Sequence, residues 1–285
     1  PAYKNTFFVA KFVCNPAKSG VYSFKLNPHG AGFELGENKK VVGGILPTGL
    51  DFGPDGALYI ADWIDGWDAT SYGRIWKMDD IKGSAMAERA QTKMLLAADI
   101  TKYSLQQLKA LLMNADMRVR LKAQFELVNH GAEGASIFEK VLNENSIQFA
   151  KIHSIWGISQ LARKDKKWGK LLFPLLQDRD AEIRAQAAKW IGDTRLVDAG
   201  KYLIPLLKDS SSRARFFASE ALGRIAYEPA IESIIEMLKD NNEQDAYLRH
   251  AGCLALARIG KAAPIVALSK DKSRALRIAA VVALR

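Results

Sequence analysis

A basic residue, usually arginine, recurs through the last two thirds of the chain at intervals that constrain the architecture around it. The segments RLKAQFEL from Arg120, RAQAAKWI from Arg184, RFFASEAL from Arg215, RHAGCLAL from Arg249 and RIAAVVAL from Arg277 share one pattern. Three residues after each Arg comes a small residue (Ala123, Ala187, Ala218, Gly252, Ala280), and seven after it an apolar one (Leu127, Ile191, Leu222, Leu256, Leu284). Lys151, with Ser154 and Ile158, supplies a sixth copy, and the basic positions lie 31, 33, 31, 34 and 28 residues apart. Positions i, i+3 and i+7 share one face of an α-helix, and the small residue lets a neighbouring helix come close. One such unit cannot bury its apolar face alone, so stacked copies must build a continuous core. An α-solenoid of about six repeats is therefore predicted over residues 103–285.

Upstream of each basic helix lies a second amphipathic stretch, clearest in LLFPLL (171–176) and YLIPLL (202–207). Two helices per repeat, Pro within the first and an acid four residues ahead of the Arg point to repeats of the HEAT type. Asp116 before Arg120, Asp180 before Arg184 and Asp245 before Arg249 are expected at helix starts, where a carboxylate caps free N–H groups. Arg120, Arg184, Arg215, Arg249 and Arg277 are expected to bridge to a neighbouring repeat's turn, as a structural ladder. Trp156, Trp168 and Trp190 read as packing between repeats. His130, His153 and His250 share no metal-ligand spacing and read as structural.

The first 80 residues follow another rule. They hold 11 of the 21 glycines and a net charge of −1, against +11 for residues 81–285. A boundary is predicted near residue 80, with 81–102 as a connector. Thr6–Phe12, Val21–Leu26, Ala31–Leu35, Gly49–Phe52, Ala57–Ala61 and Gly73–Met78 read as short strands, with Asn27–Gly30 and Gly53-Pro-Asp-Gly56 as turns. Strands of this length with turn signals every 8–12 residues indicate an antiparallel all-β unit.

The string YKNTFFVAKF…SGVYSFKLNPHGAGFEL, followed by PTGLDFGPDGALYIADWIDGW…GRIWKM, resembles the last blades of the six-bladed propellers of the glucose and sorbosone dehydrogenase type. Within them it is most similar to the large bacterial membrane-bound dehydrogenases that run propeller, HEAT repeats and then a cytochrome c domain. The fold class implied is a β plus α multidomain chain, a partial β-propeller (its last one to two blades) followed by a right-handed α-solenoid. The resemblance implies an extracytoplasmic sugar or alcohol dehydrogenase. It would carry a quinone cofactor and Ca²⁺ in the propeller and haem c in a further domain; no cofactor is identifiable in this chain. A blade takes about 40–45 residues, so 80 residues supply under two of six, and catalysis by this stretch alone is not expected. In the resembled propellers the pocket opens where loops Cys14–Ser19, Ile45–Thr48 and Trp63–Tyr72 would lie, with His29 and Asp55 opposite. There Asp62, Asp65 and Asp68 could ligate Ca²⁺ or hold a polyol, beside the aromatics Trp63, Trp67 and Tyr72. Lys18 could meet an anionic cofactor, but a solvated lysine is the stronger reading.

Cys14 and Cys253 form no CxxC or CxxCH, so neither a disulfide framework nor a haem attachment is read. GxSxG, Walker, HExxH and GxGxxG motifs are missing, and no apolar run reaches a membrane span. An opening at Pro1 and a stop at Arg285 inside an apolar helical pattern lead us to expect a piece of a larger protein. The partners then expected are the remaining blades, a cytochrome c domain and a protein bound to the solenoid. The charge raises nucleic acid as a partner, but with the arginines spent on the ladder it is not expected. Lys164, Lys166, Lys167 and Lys170, after Arg163, could instead dock an acidic protein surface. Two functions remain open: part of a redox enzyme, or a non-catalytic HEAT-repeat scaffold that binds protein.

Overall fold

The computed structural model describes residues 3–64, 72–144 and 146–285. The chain divides into two compact units, one running to Asp99 apart from the turn Gly30–Gly32, the other from Ile100 to Arg285.

In the first unit, β1 (Phe7–Lys11), β2 (Gly20–His29) and β3 (Gly32–Gly43) make one three-stranded sheet, and β4 (Pro47–Phe52), β5 (Leu58–Asp62) and β6 (Arg74–Met78) another. β1 pairs antiparallel with β2, Phe7 facing Phe24, and β5 pairs antiparallel with both β4 and β6. Val21, Ile45, Leu58 and Ile60 form the core, with Phe8, Val41, Val42, Leu50 and Met78 packed around them. Phe8 meets Phe52 edge-on at 5.7 Å, joining the two sheets. The tight turn at Gly53–Gly56 forms as its residues dictate. Gly56 adopts φ +75°, its N–H donates to the Gly53 carbonyl at 2.8 Å, and Asp55 accepts from Ala57 N–H. The signal at Asn27–Gly30 is displaced. Asn27, Pro28 and His29 belong to β2 and the chain turns at Gly30 and Ala31. Pro28 is tolerated because β1 pairs only as far as Phe24, so no β1 carbonyl waits for its missing N–H.

Within residues 81–102, α1 (Ala87–Ala97) packs with the β unit. Arg89 donates to the Asp55 carbonyl and pairs with Asp79 at 2.7 Å.

The second unit is a helical repeat solenoid. Helix pairs are α2 (Leu105–Leu111) with α3 (Met117–Asn129), α4 (Ala132–Asn143) with α5 (Gln148–Lys164), α9 (Ile231–Asn241) with α10 (Ala246–Ile259), and α11 (Ala262–Ala267) with α12 (Arg274–Leu284). Between them, the first helix of two repeats is largely 3₁₀: Lys166–Leu172 and Pro174–Gln177 precede α6 (Ala181–Asp193), while short α7 (Gly200–Leu203) and Ile204–Lys208 precede α8 (Ser212–Arg224). The sequence suggested plain amphipathic helices there. Pro174 and Pro205 have no N–H to continue an α-helical ladder, so the chain tightens around them. Close approach between second helices falls eight residues after the ladder Arg rather than three: a Cβ on Gly192 would meet Ala221 Cα at 2.6 Å and one on Gly223 would meet Ala255 Cα at 2.6 Å, while Gly252, at the expected position, faces Leu238 of its own repeat. Among the described residues no helix is long and apolar enough to cross a membrane.

Candidate functional site

Two places gather the side chains that the sequence singled out, one in each unit.

In the β unit, an open cleft of about 350 Å³ is lined by Ala10, Phe12, Pro47, Thr48 and Trp63. It lies at the strand ends and loops expected to form the pocket face. Trp63 is 41% exposed there, and its backbone N–H donates to the Leu46 carbonyl. Tyr72 and Lys18 are both exposed. The Lys18 backbone N–H closes a turn on the Asn15 side chain and carbonyl. Asp62 is buried, and its carboxylate is already occupied. It accepts from Leu46 N–H at 2.9 Å, Ile64 N–H at 3.1 Å and Trp76 Nε1–H at 2.9 Å, with Arg74 Nε 3.6 Å away. Burial works to raise its pKa, but Trp76, Leu46, Ile64 and Arg74 outweigh that and hold it below the usual carboxylate range. A cation at Asp62 would have to displace these donors. Asp65, Trp67 and Asp68 lie outside the described residues. Among the described residues no three His, Cys, Asp or Glu side chains cluster as metal ligands.

In the solenoid, the recurring arginines do one repeated job, although not the one their spacing suggested. Arg120 donates to the carbonyls of Asn114 and Ala115, Arg184 to Asp178 and Arg179, Arg215 to Asp209 and Ser210, and Arg277 to Asp271 and Lys272. Each therefore ties the loop of its own repeat, and of these four Arg184 also reaches the loop of the next repeat. The reason is reach: an arginine in the first turn of the second helix lies over the carbonyls five and six residues back. Arg249 departs again, pairing with Glu243 at 2.6 Å. Bridges to the next repeat come from two positions, Arg184 to Asp209 at 2.7 and 2.8 Å and Lys151 to Asp178 at 3.1 Å. Burial works to raise the Asp209 pKa, yet the Arg184 guanidinium and Ser211 N–H hold it low.

Asp116, Asp180 and Asp245 are N-caps, accepting from Arg118, Glu182 and Tyr247 N–H. Ser211 and Ser273 take the same place ahead of Arg215 and Arg277, which the acid-only pattern missed, while Ile147 ahead of Lys151 makes no side-chain cap. Missed too was an Asx residue six before the Arg. Asn114, Asp178, Asp209 and Asp271 each accept from the N–H two residues on, at 2.7–2.8 Å. Read together, Asx-x-(Asp/Ser)-x-x-x-Arg is a self-satisfying loop, and it is visible in the sequence once the serines are admitted.

Along the second helices the side chains lock laterally. Trp156 Nε1–H donates to Gln186, whose amide donates to Glu182, which pairs with Arg213 at 2.8 Å. Arg224 pairs with Asp193, which also takes Lys189 at 2.8 Å. Trp190 lies between Lys189, 3.9 Å from its ring centroid, and Arg163 at 5.5 Å. Trp168 carries Lys167 at 4.9 Å. His153 is buried against Gln124 at 2.8 Å; burial first, then the Arg120 charge, push its pKa down to about 4. In the basic turn, Lys166 is taken by the Thr194 carbonyl and Lys167 by Asp165. Lys164 and Lys170 stand exposed.

The family of HEAT repeats matches residues 169–246. Among solved structures, the chain is similar to an engineered protein at 20% identity and TM-score 0.43, covering 63% of this chain and 94% of that one. It is similar to the complex of CpcE and CpcF of phycocyanin lyase from Nostoc sp. at 17% identity and TM-score 0.45, covering 65% and 77%. A designed armadillo repeat protein in complex with the peptide (KR)4 aligns at 20% identity and TM-score 0.41, covering 64% and 98%. None of the curated proteins compared matches the chain. The second unit is a helical repeat solenoid, with HEAT repeats matched over residues 169–246.

Proposed function

We propose that this protein is a non-catalytic scaffold whose solenoid holds an acidic protein surface. The observation that carries it is the lateral locking of the second helices, Trp156–Gln186–Glu182–Arg213 and Lys189–Asp193–Arg224. Side chains fixed by their neighbours lose little freedom on binding, which is the property of a preorganised surface. Beside that ridge, Lys164 and Lys170 are exposed at the turn that carries Arg163. The solenoid's positive balance would draw an acidic partner to it. Titration with a glutamate-rich peptide and with duplex DNA tests the reading. The peptide should bind, and Lys164→Glu with Lys170→Glu should weaken it at least about tenfold, which is about 1.4 kcal/mol. Tighter binding to DNA, unaffected by this double change, would replace the protein partner with nucleic acid.

A second reading keeps the β unit as the last blades of a propeller in an extracytoplasmic sugar or alcohol dehydrogenase. It would hold a quinone and Ca²⁺, join a cytochrome c domain and carry the right-handed solenoid as its scaffold. The partition into β1–β2–β3 and β4–β5–β6 supports it, because consecutive blades would divide the strands there. So does the cleft on the loops beside Pro47 and Trp63. Its test is the thermal midpoint with Ca²⁺ against chelator: a rise that Asp65→Asn with Asp68→Asn abolishes favours it, and identical midpoints remove the Ca²⁺ site.

A further inference from the structure

We propose that the first-helix face of the two repeats broken by Pro174 and Pro205 binds a short acidic protein segment that carries apolar residues between its carboxylates. The inference rests on the reading that the solenoid holds an acidic protein surface, and it adds where that surface seats and what else it must bring.

The 3₁₀ turns set the chemistry of this face. With three residues per turn, side chains three apart stand in columns. Across residues 166–177 one column, Gly169, Leu172 and Leu175, is buried in the core. The next, Lys167, Lys170 and Phe173, faces out: both lysines are exposed and Phe173 is half-buried. In the following repeat Gly200, Leu203 and Leu206 are buried, and Lys201 and Tyr202 stand exposed beside them. The Phe173 and Tyr202 rings meet across the repeat boundary at 5.5 Å, and Lys201 lies 5.0 Å from the Tyr202 ring centroid.

Comparison along the stack shows that this chemistry is confined to two repeats. Phe138, Gly169, Gly200 and Ile231 lie 31 residues apart, all buried, on the core side of four successive first helices. The residue after each is Glu139, Lys170, Lys201 and Glu232, and all four are exposed. Lys167 is taken by Asp165, whereas no acid pairs with Lys170 or Lys201 among the described residues. Two unpaired cations one repeat apart, with a pair of stacked rings beside them, fit two carboxylates that flank an apolar side chain. A nucleic-acid backbone is charged at every step and would run into Glu139 at one end and Glu232 at the other.

The experiment measures, by fluorescence anisotropy on the whole chain, two labelled synthetic peptides of equal length and charge, one of Glu and Ser, the other with Leu in place of Ser. The leucine peptide should bind at least about fivefold more tightly, a fraction of what burying leucine provides. Tyr202→Ala should abolish that preference. Lys201→Glu should weaken both peptides at least about fivefold, whereas Lys239→Glu, the same change of charge on exposed ground in α9, should alter either by less than about twofold. Both altered residues of the face are exposed, so thermal midpoints should stay within about 2 °C. Equal binding of the two peptides, a preference that survives Tyr202→Ala, or equal losses from Lys201→Glu and Lys239→Glu overturns the proposal. If the Glu and Ser peptide binds and answers to Lys164→Glu with Lys170→Glu but not to Lys201→Glu, the acidic partner stands and this face is not its seat. If neither peptide binds, both readings fail. Duplex DNA that binds more tightly than either peptide and is weakened by Lys201→Glu would give the face to nucleic acid and overturn the acidic segment.

Discussion

The two units of this chain satisfy their backbones by opposite means. In four of the solenoid's repeats the loop closes on itself: an Asx side chain, an N-cap and an arginine take up the groups that the two helix ends leave free, all within seven residues. In the β unit the satisfying partner comes from far along the chain, as when Asp62 takes Leu46 and Trp76. Local closure makes a repeat depend only on its neighbours, whereas long-range closure makes a sheet depend on the whole unit. The apolar surfaces agree. Phe7, Leu35 and Ile75 of the β unit are 53%, 62% and 76% exposed, while Leu127, Ile191 and Leu222 of the solenoid are fully buried. Separating the units is the strongest way to break the comparison. Residues 100–285 expressed alone should melt cooperatively as a helical protein, and residues 1–99 alone should aggregate or stay unfolded. A soluble, cooperatively folding 1–99 monomer would show that its two sheets suffice.

Within the solenoid, local closure predicts a graded series. Arg184→Ala removes two loop carbonyl bonds and the half-buried pair with Asp209, and should cost about 2–4 kcal/mol. Arg215→Ala loses only its loop and Ser212 bonds, about 1–2 kcal/mol. Lys208→Ala loses an exposed pair with Glu236, within about 0.5 kcal/mol. Urea midpoints in any other order would mean that the recurring Arg is not the element that closes the loop.

His153 sharpens the comparison by pH. Its folded pKa, about 4, lies below the ordinary 6.5, so protons bind the unfolded chain more readily. Its contribution is whole above pH 6.5 and is lost as pH falls from there to 4, amounting to up to about 3 kcal/mol. His153→Gln should flatten the stability of residues 100–285 over that window; an unchanged slope would place the titration elsewhere.

The helical half was legible because its period is written in residue types that each have one use. Small residues at Ala123, Ala187 and Ala218 could only be contacts, and Asp116, Asp180 and Asp245 could only be caps. The direction of the arginines was not legible, since spacing cannot tell a residue's own loop from the next one. Pro174 and Pro205 were visible, but their consequence, 3₁₀ in place of α, depends on how the surrounding core confines the turn. For the β unit, most strand positions were readable from alternation and turn signals, but the third strand, read only to Leu35, runs on to Gly43 through a stretch without alternation. Asp62 was not readable: its role depends on Trp76 and Leu46, which no local pattern links to it.

The smallest effect tests whether the repeat also closes at its far end. Eleven residues after the ladder Arg, each of four second helices ends on a left-handed residue: Gly131 (φ 57°), Arg195 (φ 54°), Ala226 (φ 52°) and Gly260 (φ 76°). The chain leaves α6 and α8 through the same bonds, Leu196 N–H to the Ile191 carbonyl at 3.1 Å and Tyr227 N–H to Leu222 at 3.0 Å. A Cβ is strained in this conformation by roughly 1 kcal/mol, and glycine is not. Arg195 and Ala226 are exposed, so replacing them removes little packing. Arg195→Gly and Ala226→Gly should each stabilise by about 0.5 kcal/mol, the relieved strain less the extra freedom glycine gives the unfolded chain. Gly260→Ala should destabilise by about 1 kcal/mol for the same reason run backwards. If Arg195→Gly lowers the urea midpoint of residues 100–285, the guanidinium is holding that turn, and the repeat closes there by a side chain rather than by backbone geometry.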